Sequence, residues 1–270
     1  MNYQTFDPSQ ALSVFVKCYW TLEAPEATEP VKERILPDGC MEMIFHYGDL
    51  YRQYNSSGDF VIQPRCFVFG QVVSPLEIQP TGSTGIFAVR FYPEAFTPFT
   101  KISPRSMNDR AVPLKELFGN EGINLENEVL CAGTTMQRIK RVEDFLLNTL
   151  RRGLFVDRMV RSSVALIIEL KGRQPIGELT GKLPVSRRQL ERRFSTAVGL
   201  SPKQLSKMVR LQTSLKMLSE GQFSCLGDVA YDNDFYDQSH FINDFKEFTG
   251  LSPKEYYAGN LRMAMLFSSS

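Results

Sequence analysis

The sequence predicts a two-domain α+β protein: an N-terminal β-barrel or jelly-roll-like domain with flanking helices, then a C-terminal all-α double helix-turn-helix. Three observations carry that expectation. Residues 1 to about 110 read as short aromatic and β-branched strands, and from about 111 to about 260 the apolar spacing turns helical. The third is a phrase used twice. Gly199-Leu200-Ser201-Pro202-Lys203 returns letter for letter as Gly250-Leu251-Ser252-Pro253-Lys254. Repetition on this scale marks two copies of one supersecondary unit, too few for a solenoid. The expected domains are residues 1–152 and 153–260, joined near Arg151-Arg152-Gly153, with 261–270 as a tail.

Composition bounds the class. A chain of 270 residues with 43% hydrophobic and 23% charged content can fill one large core or two ordinary ones. No basic start followed by an apolar stretch opens the chain, so no secretory signal is expected. The run Val164-Ala165-Leu166-Ile167-Ile168 is too short to span a bilayer. Five scattered cysteines without a CxxC pair argue against both a disulfide framework and structural zinc, which points to a reducing cytoplasm.

In the first half, Met41-Glu42-Met43-Ile44-Phe45-His46-Tyr47, Phe67-Val68-Phe69-Gly70-Gln71-Val72-Val73 and Gly85-Ile86-Phe87-Ala88-Val89-Arg90-Phe91-Tyr92 are strand-like. Pro37-Asp38-Gly39, Ser56-Ser57-Gly58-Asp59 and Thr81-Gly82-Ser83 supply turn chemistry between such runs. Glu42, His46, Gln71 and Arg90 are polar residues amid apolar strands. They line a ligand pocket or an exposed face, since strand parity leaves both open. Further on, Ile139, Val142, Phe145 and Leu146 share one face of a helix. That helix serves a homodimer or packs within its own domain.

Each repeated unit resolves into two helices and a stop. In the first, residues 176–182 form a short helix and Pro184-Val185 a turn. Ser186 then caps a second helix, with Gln189 completing a capping box. Leu190, Phe194 and Ala197 share its inner face, and Arg188, Arg192 and Ser195 lie opposite. In the second unit Phe241, Phe245 and Phe248 point inward, and Ser239, Asn243 and Lys246 lie opposite. Aligned on the repeat, Arg188 corresponds to Ser239 and Arg192 to Asn243. Between the units, Ser201-Pro202-Lys203-Gln204 opens another helix, with Leu205, Met208, Leu211, Leu215 and Leu218 inward. Running from 202 to about 219, it is roughly 27 Å long. One duplex turn is ~34 Å, so such a strut sets two helices near successive major grooves.

A solvated αα-hairpin would also show a polar outer stripe, but two matched stripes favour DNA. Charge favours it too. Residues 173–220 carry ten basic groups against three acids, a net +7, whereas residues 221–260 net −5 beneath an overall +1.

These residues carry a resemblance. Residues 156–258 resemble the DNA-binding domain of AraC-type bacterial transcription regulators, two helix-turn-helix units joined by a long helix. The matches are Arg188-Gln189-Leu190-Glu191-Arg192-Arg193-Phe194, the paired Gly-Leu-Ser-Pro phrases, and Val229-Ala230-Tyr231 followed by Phe235, Asp237-Gln238-Ser239-His240-Phe241 and Phe245-Lys246. The resemblance implies base contacts from Arg187, Arg188, Glu191, Arg192, Gln238, Ser239 and Asn243. It implies phosphate contacts from Ser186, Arg193, Lys203, Lys207, Lys246 and Lys254. Two departures stand out. The family's turn glycines are replaced by Pro184 and Asp234; Asp tolerates left-handed backbone, but Pro does not. The acidic second unit repels phosphate, so the first unit is expected to supply most of the affinity.

The first half, through Tyr19-Trp20, Leu36-Pro37-Asp38-Gly39-Cys40, Phe69-Gly70-Gln71 and Val89-Arg90-Phe91-Tyr92-Pro93, resembles the β-rich sensor-like domain preceding that module in some of these regulators. The resemblance implies double-stranded DNA as partner, a small-molecule effector, a homodimer, and RNA polymerase if the chain activates. It implies no catalytic residues, cofactor, metal or membrane. The rival is a cupin-like enzyme with a structural helical half. That chemistry needs several histidines on one metal, and His46 stands alone in this half. His240, on the flank of its helix, is positional rather than catalytic.

Overall fold

The computed structural model describes residues 1–55, 57–150, 156–173, 186–220 and 225–258. The expected helix over 176–182, the Pro184-Val185 turn, the 151–153 linker and the 261–270 tail lie outside them.

Ten strands form the first layers: β1 Asn2–Phe6, β2 Val16–Ala24, β3 Glu33–Ile35, β4 Met41–His46, β5 Tyr51–Tyr54, β6 Phe60–Ile62, β7 Cys66–Phe69, β8 Leu76–Pro80, β9 Thr84–Phe91 and β10 Ala111–Pro113. They do not close into a barrel, which corrects the sequence expectation. Six make one antiparallel sheet in the order β1-β2-β9-β4-β7-β10, and four make a second in the order β3-β8-β5-β6. The reason lies in what covers each face. Alternate residues of the larger sheet point to different layers, so neither face is left to curl around. Met41, Met43, Phe45, Phe87, Val89 and Phe91 pack against Leu125, Val129, Ile139, Val142 and Leu146. Those five belong to α2, Asn120–Leu130, and α3, Thr135–Leu150, which follow the short α1, Leu114–Phe118. The α3 helix therefore packs within its own domain. On the opposite face Cys18, Trp20, Leu22, Ile86 and Ala88 meet Tyr51 and Ile78 of the smaller sheet.

The helical half begins with α4, Arg158–Glu169, and continues with α5 Arg187–Val198, α6 Pro202–Ser219, α7 Leu226–Asp232, α8 Gln238–Thr249 and α9 Pro253–Ala258. Its core holds every inward residue expected from the helical wheels: Leu190, Phe194, Ala197, Leu205, Met208, Leu211, Leu215, Leu218, Phe241, Phe245 and Phe248. Fully burying a Phe or Leu side chain is worth about 1.5–3 kcal/mol, so this periodicity dominates the module's stability. Both expected capping boxes form, Ser186 with Gln189 and Ser201 with Gln204.

The two halves are packed together. Leu36, from the 36–40 loop after β3, is buried in the helical core. Gln212 Nε2 of α6 donates to Pro37 O at 2.7 Å, and a Cβ on Gly39 would stand 2.5 Å from Leu205 Cδ1. Thr97 Oγ1 donates to Ala197 O at 2.6 Å, and Asn108 Nδ2 to Gly199 O at 3.2 Å. Arg34 Nη1 donates to Thr249 O at 2.9 Å. The N-terminal half thus grips both helix ends, at Gly199 O of the first phrase and at Thr249 O just before the second, where α5 and α8 end on left-handed Gly199 (φ 81°) and Gly250 (φ 71°).

The grips differ in tightness. An added Cβ at Gly199 would lie 2.9 Å from backbone atoms of Pro104 and Arg105, whereas at Gly250 the nearest atom is Pro75 Cγ at 3.5 Å. Left-handed backbone alone costs an alanine about 1–2 kcal/mol. Urea unfolding should therefore show Gly250→Ala losing about that much, and Gly199→Ala losing at least ~1 kcal/mol more through overpacking.

Candidate nucleic-acid interface and sensor cavity

The α5 helix presents its N-terminal half to solvent. Ser186 Oγ accepts from Gln189 N at 3.3 Å, which leaves Ser186, Arg187, Arg188, Gln189, Arg192 and Arg193 exposed and Glu191 half-buried. Arg187 Nε pairs with Glu191 Oε1 at 3.0 Å, one turn on. Arg193 turns away from that stripe to make a two-pronged pair with Asp157, Nε to Oδ2 at 2.6 Å and Nη2 to Oδ1 at 2.8 Å. Asp157 also caps α4 through the backbone N–H of Met159 and Val160. Burial raises its carboxyl, but Arg193 and the two amides outweigh this and hold it below the usual range.

The second unit is complete. Its turn passes through Asp234 at φ 53°, the left-handed conformation that Asp tolerates. Asp237 Oδ1 accepts from His240 N at 2.7 Å to start α8, and Gln238, Ser239, Asn243 and Lys246 are exposed on it. Lys203 at the start of α6 and Lys254 on α9 are exposed as well. Sequence reasoning missed Tyr231 and Tyr236, which flank the turn and are 82% and 92% exposed. Their only signal was two aromatics outside the Phe241-Phe245-Phe248 spacing.

Lys207 is placed differently from its fellows. Its Nζ spans Asp244 Oδ1 at 2.9 Å and Glu247 Oε2 at 3.0 Å, fastening α6 to α8. Burial lowers its ammonium's affinity for the proton, but the two carboxylates raise it further, so the group stays charged. Arg210 adds Nη2 to Asp244 Oδ2 at 3.4 Å and stands 4.4 Å over the Phe235 ring. Asp244, which counted against DNA in the charge sum, spends its charge inside the module.

In the β half, strand alternation puts Glu42, His46 and Arg90 on the face turned to the smaller sheet, with Glu42 directly opposite Arg90. A cavity of about 70 Å³ lies between the sheets, with Trp20, Ile44, Phe69, Ile78, Glu42 and His46 in its wall. Gln71 and Arg90 sit behind that wall. Gln71 Nε2 donates to Gly39 O at 2.9 Å, while Arg90 is ion-paired to Asp38 and stands 3.6 Å from Glu42 Oε1. Burial pushes the Glu42 carboxyl up to about 7, against the opposing hydrogen bond from Trp20 Nε1 at 3.1 Å. Burial pushes His46 down to about 4, so its ring is neutral near neutral pH. Asp38, Cys40 and Arg90 also border a cleft of about 680 Å³ that faces Gln212, Lys216 and Arg173 of the helical half. Among the described residues no cluster of three or more His, Cys, Asp or Glu could hold a metal, and no helix is long and apolar enough to cross a membrane.

Two exposed polar stripes on capped helices, one just before an 18-residue strut and one fastened to that strut through Lys207 and Arg210, define a DNA-binding module appended to a two-sheet domain. Comparison agrees. Residues 179–259 match the family described as a helix-turn-helix domain, and residues 4–113 match a domain of unknown function. An uncharacterized HTH-type transcriptional regulator from Haemophilus influenzae is 32% identical over 113 residues, 40% of this chain and 38% of that protein. The chain thus matches well under half the length of that curated relative. Among solved structures, ToxT from Vibrio cholerae is similar at a TM-score of 0.48 and 12% identity, over 89% of this chain and 98% of that one. A second ToxT structure, bound to (E)-4-(8-methylnaphthalen-1-yl)but-3-enoic acid, gives a TM-score of 0.46 at 12% identity. Residues 179–259 are thus a helix-turn-helix domain, set behind a domain of unknown function.

The two-sheet half carries an acid-sensitive group. His46 has a folded pKa of about 4 against an ordinary 6.5, so the unfolded chain takes up the proton first as pH falls. Stability contributed by its neutral burial is complete above about 6.5 and is lost progressively down to about 4. Chemical denaturation between pH 7 and 4 should show a loss on the order of 3 kcal/mol from this group. Glu42, which burial holds near 7, acts with the opposite sign over the same window, so the difference between the wild-type and His46→Phe profiles should isolate this loss.

Proposed function

We propose that this chain is a sequence-specific transcriptional regulator in the cytoplasm, with α5 and α8 reading bases and the two-sheet domain setting their disposition in answer to a small effector. One observation carries the reading. The N-terminal domain holds both helices at their C-terminal ends, at Gly199 O and Thr249 O, which leaves the polar stripes at their N-terminal ends open to solvent.

On this reading Arg188, Arg192 and Arg187 of α5 face bases in one major groove, with Glu191 orienting Arg187. Gln238, Ser239 and Asn243 of α8 face the next groove. Ser186, Lys203, Lys246 and Lys254 contact phosphate. Arg193 and Lys207 hold the module together through Asp157 and through Asp244 with Glu247. Affinity comes mainly from the basic first unit. Glu42, His46, Gln71 and Arg90 belong to the effector site, the first two in its wall and the others linking it to the helical half.

Binding of the full chain to promoter fragments, titrated at several salt concentrations, tests this directly. Arg188→Ala should relax preference at one base pair and cost about 1–3 kcal/mol on the best site. Ser239→Ala should alter preference at a different position, about one helical turn away. Lys203→Ala should weaken all sequences alike and reduce the salt slope by about 1, whereas Lys207→Ala should leave that slope nearly unchanged. Binding without sequence preference or salt dependence overturns the regulator reading.

A further inference from the structure

The smaller sheet ends on an uncovered strand. In the order β3-β8-β5-β6 the edge is β6, and its residues Phe60, Val61 and Ile62 are 51%, 64% and 48% exposed. Soluble proteins commonly guard such an edge with charge, proline or a covering element, because an unpaired strand recruits another strand. Within β6 there is no charge and no proline, and three consecutive apolar side chains stand in solvent.

Hydrogen-bond parity shows which backbone groups of β6 are unspent. Gln63 N donates to Tyr51 O and Asn55 N to Asp59 O, each at 2.9 Å. The bonded pairs of the β5–β6 ladder are therefore Tyr51–Gln63, Gln53–Val61 and Asn55–Asp59. Phe60 and Ile62 hold the alternate positions, so their N–H and C=O groups point away from β5 to the free edge.

Those groups are complementary to themselves. A two-fold axis at Val61 sets Phe60 of one copy opposite Ile62 of the other, twice over, and closes four hydrogen bonds. An axis at Phe60 would set Ile62 against Gly58, which lies in a turn at φ 89°. An axis at Ile62 would set Phe60 against Pro64, which has no N–H. Only the Val61 axis uses every outward group. It also gathers Phe60 and Ile62 of both copies on one face, beside Tyr54 at 5.7 Å and Arg52 at 5.1 Å from the Phe60 ring. The two Val61 side chains meet on the other face. Asp59 then stands opposite Gln63 of the second copy, so no like charges are juxtaposed.

We propose that β6 is a homodimer interface, pairing antiparallel with β6 of a second copy about a two-fold at Val61 and joining two four-stranded sheets into one of eight. Size sets how it is used. Three half-exposed side chains and a three-residue ladder bury well under the ~800 Å² per partner of a standing dimer, so the pair is weak in free solution. Two copies on neighbouring DNA sites raise each other's effective concentration, and there the edge closes. That second step rests on the regulator reading, whereas the geometry of the pair does not.

Cysteine cross-linking of the full chain tests the pair. A Cys131→Ser, Cys225→Ser background removes both exposed thiols among the described residues, and single cysteines at the edge are then oxidised with glutathione disulfide at high protein concentration. Facing Val61 residues lie ~4.5 Å apart at Cα, within disulfide range, whereas the two Phe60 residues are offset to ~8–9 Å. Val61→Cys should form covalent dimer at least about tenfold faster than Phe60→Cys alone. Mixing Phe60→Cys with Ile62→Cys should restore dimer. No dimer from Val61→Cys, or Phe60→Cys linking to itself as fast, overturns the proposal. The DNA step is read separately, on fragments carrying one copy or two inverted copies of a site selected by the full chain, at a series of spacings. Some spacing should give about tenfold cooperativity. Ile62→Pro removes an outward N–H but no bond to β5, and it should abolish that cooperativity while leaving one-site affinity within about twofold. Val61→Lys replaces it if the proline variant does not fold. Cross-linking of Val61→Cys without cooperativity at any spacing supports the interface and instead defeats its use on DNA.

Discussion

Arg90 lies on the central β9 strand with its guanidinium 1% exposed, and a cation so placed persists only where carboxylates answer it. Glu42 answers from the neighbouring strand, at a register position directly opposite. Asp38 answers from the loop after β3, and that second partner organises much else. Asp38 Oδ1 also accepts from Cys40 N at 2.8 Å, which shapes the turn through Gly39 at φ 81°. The turn in turn offers Pro37 O to Gln212 and sends Leu36 into the helical core. One buried charge therefore fixes a loop that is wall to the cavity on one side and seat for the α6 strut on the other.

The local half of this architecture was legible in the sequence. The Ser186–Gln189 and Ser201–Gln204 boxes, the inward faces of α5, α6 and α8, and the left-handed tolerance of Asp234 depend on residues within a turn or two of each other. Sheet architecture was not legible. The larger sheet inserts β9 between β2 and β4, pairing Cys18 and Glu42 with the same Arg90, and no local pattern encodes such an order. Two open sheets and a helical layer took the place of the expected barrel for that reason. The same blindness left the parity of Glu42 and His46 undecided until their neighbours were in place.

Candidate DNA contacts divide along the same line. Helical periodicity put Arg188, Arg192, Ser239 and Asn243 on outer stripes, and the structure has all four exposed. Periodicity could not show that Lys207 meets Asp244, 37 residues on, or that Arg193 reaches back 36 residues to Asp157. A lysine on a basic helix has many suitors, and its choice depends on which helix crosses over it. The net −5 of the second unit misleads for a related reason, since Asp244 and Glu247 are partly answered by α6 across the helix crossing.

The double grip on the ends of α5 and α8 also has a mechanical meaning. Each reading helix has 12 residues and so extends about 18 Å from the held end to the free one. A tilt of roughly 10° at the held end sweeps the free end through about 3 Å, the span of a hydrogen bond. On the proposed reading the helices are levers with their fulcra on the two-sheet domain, and a shift too small to disturb the packing at the fulcrum would be enough to unseat an arginine from a base edge.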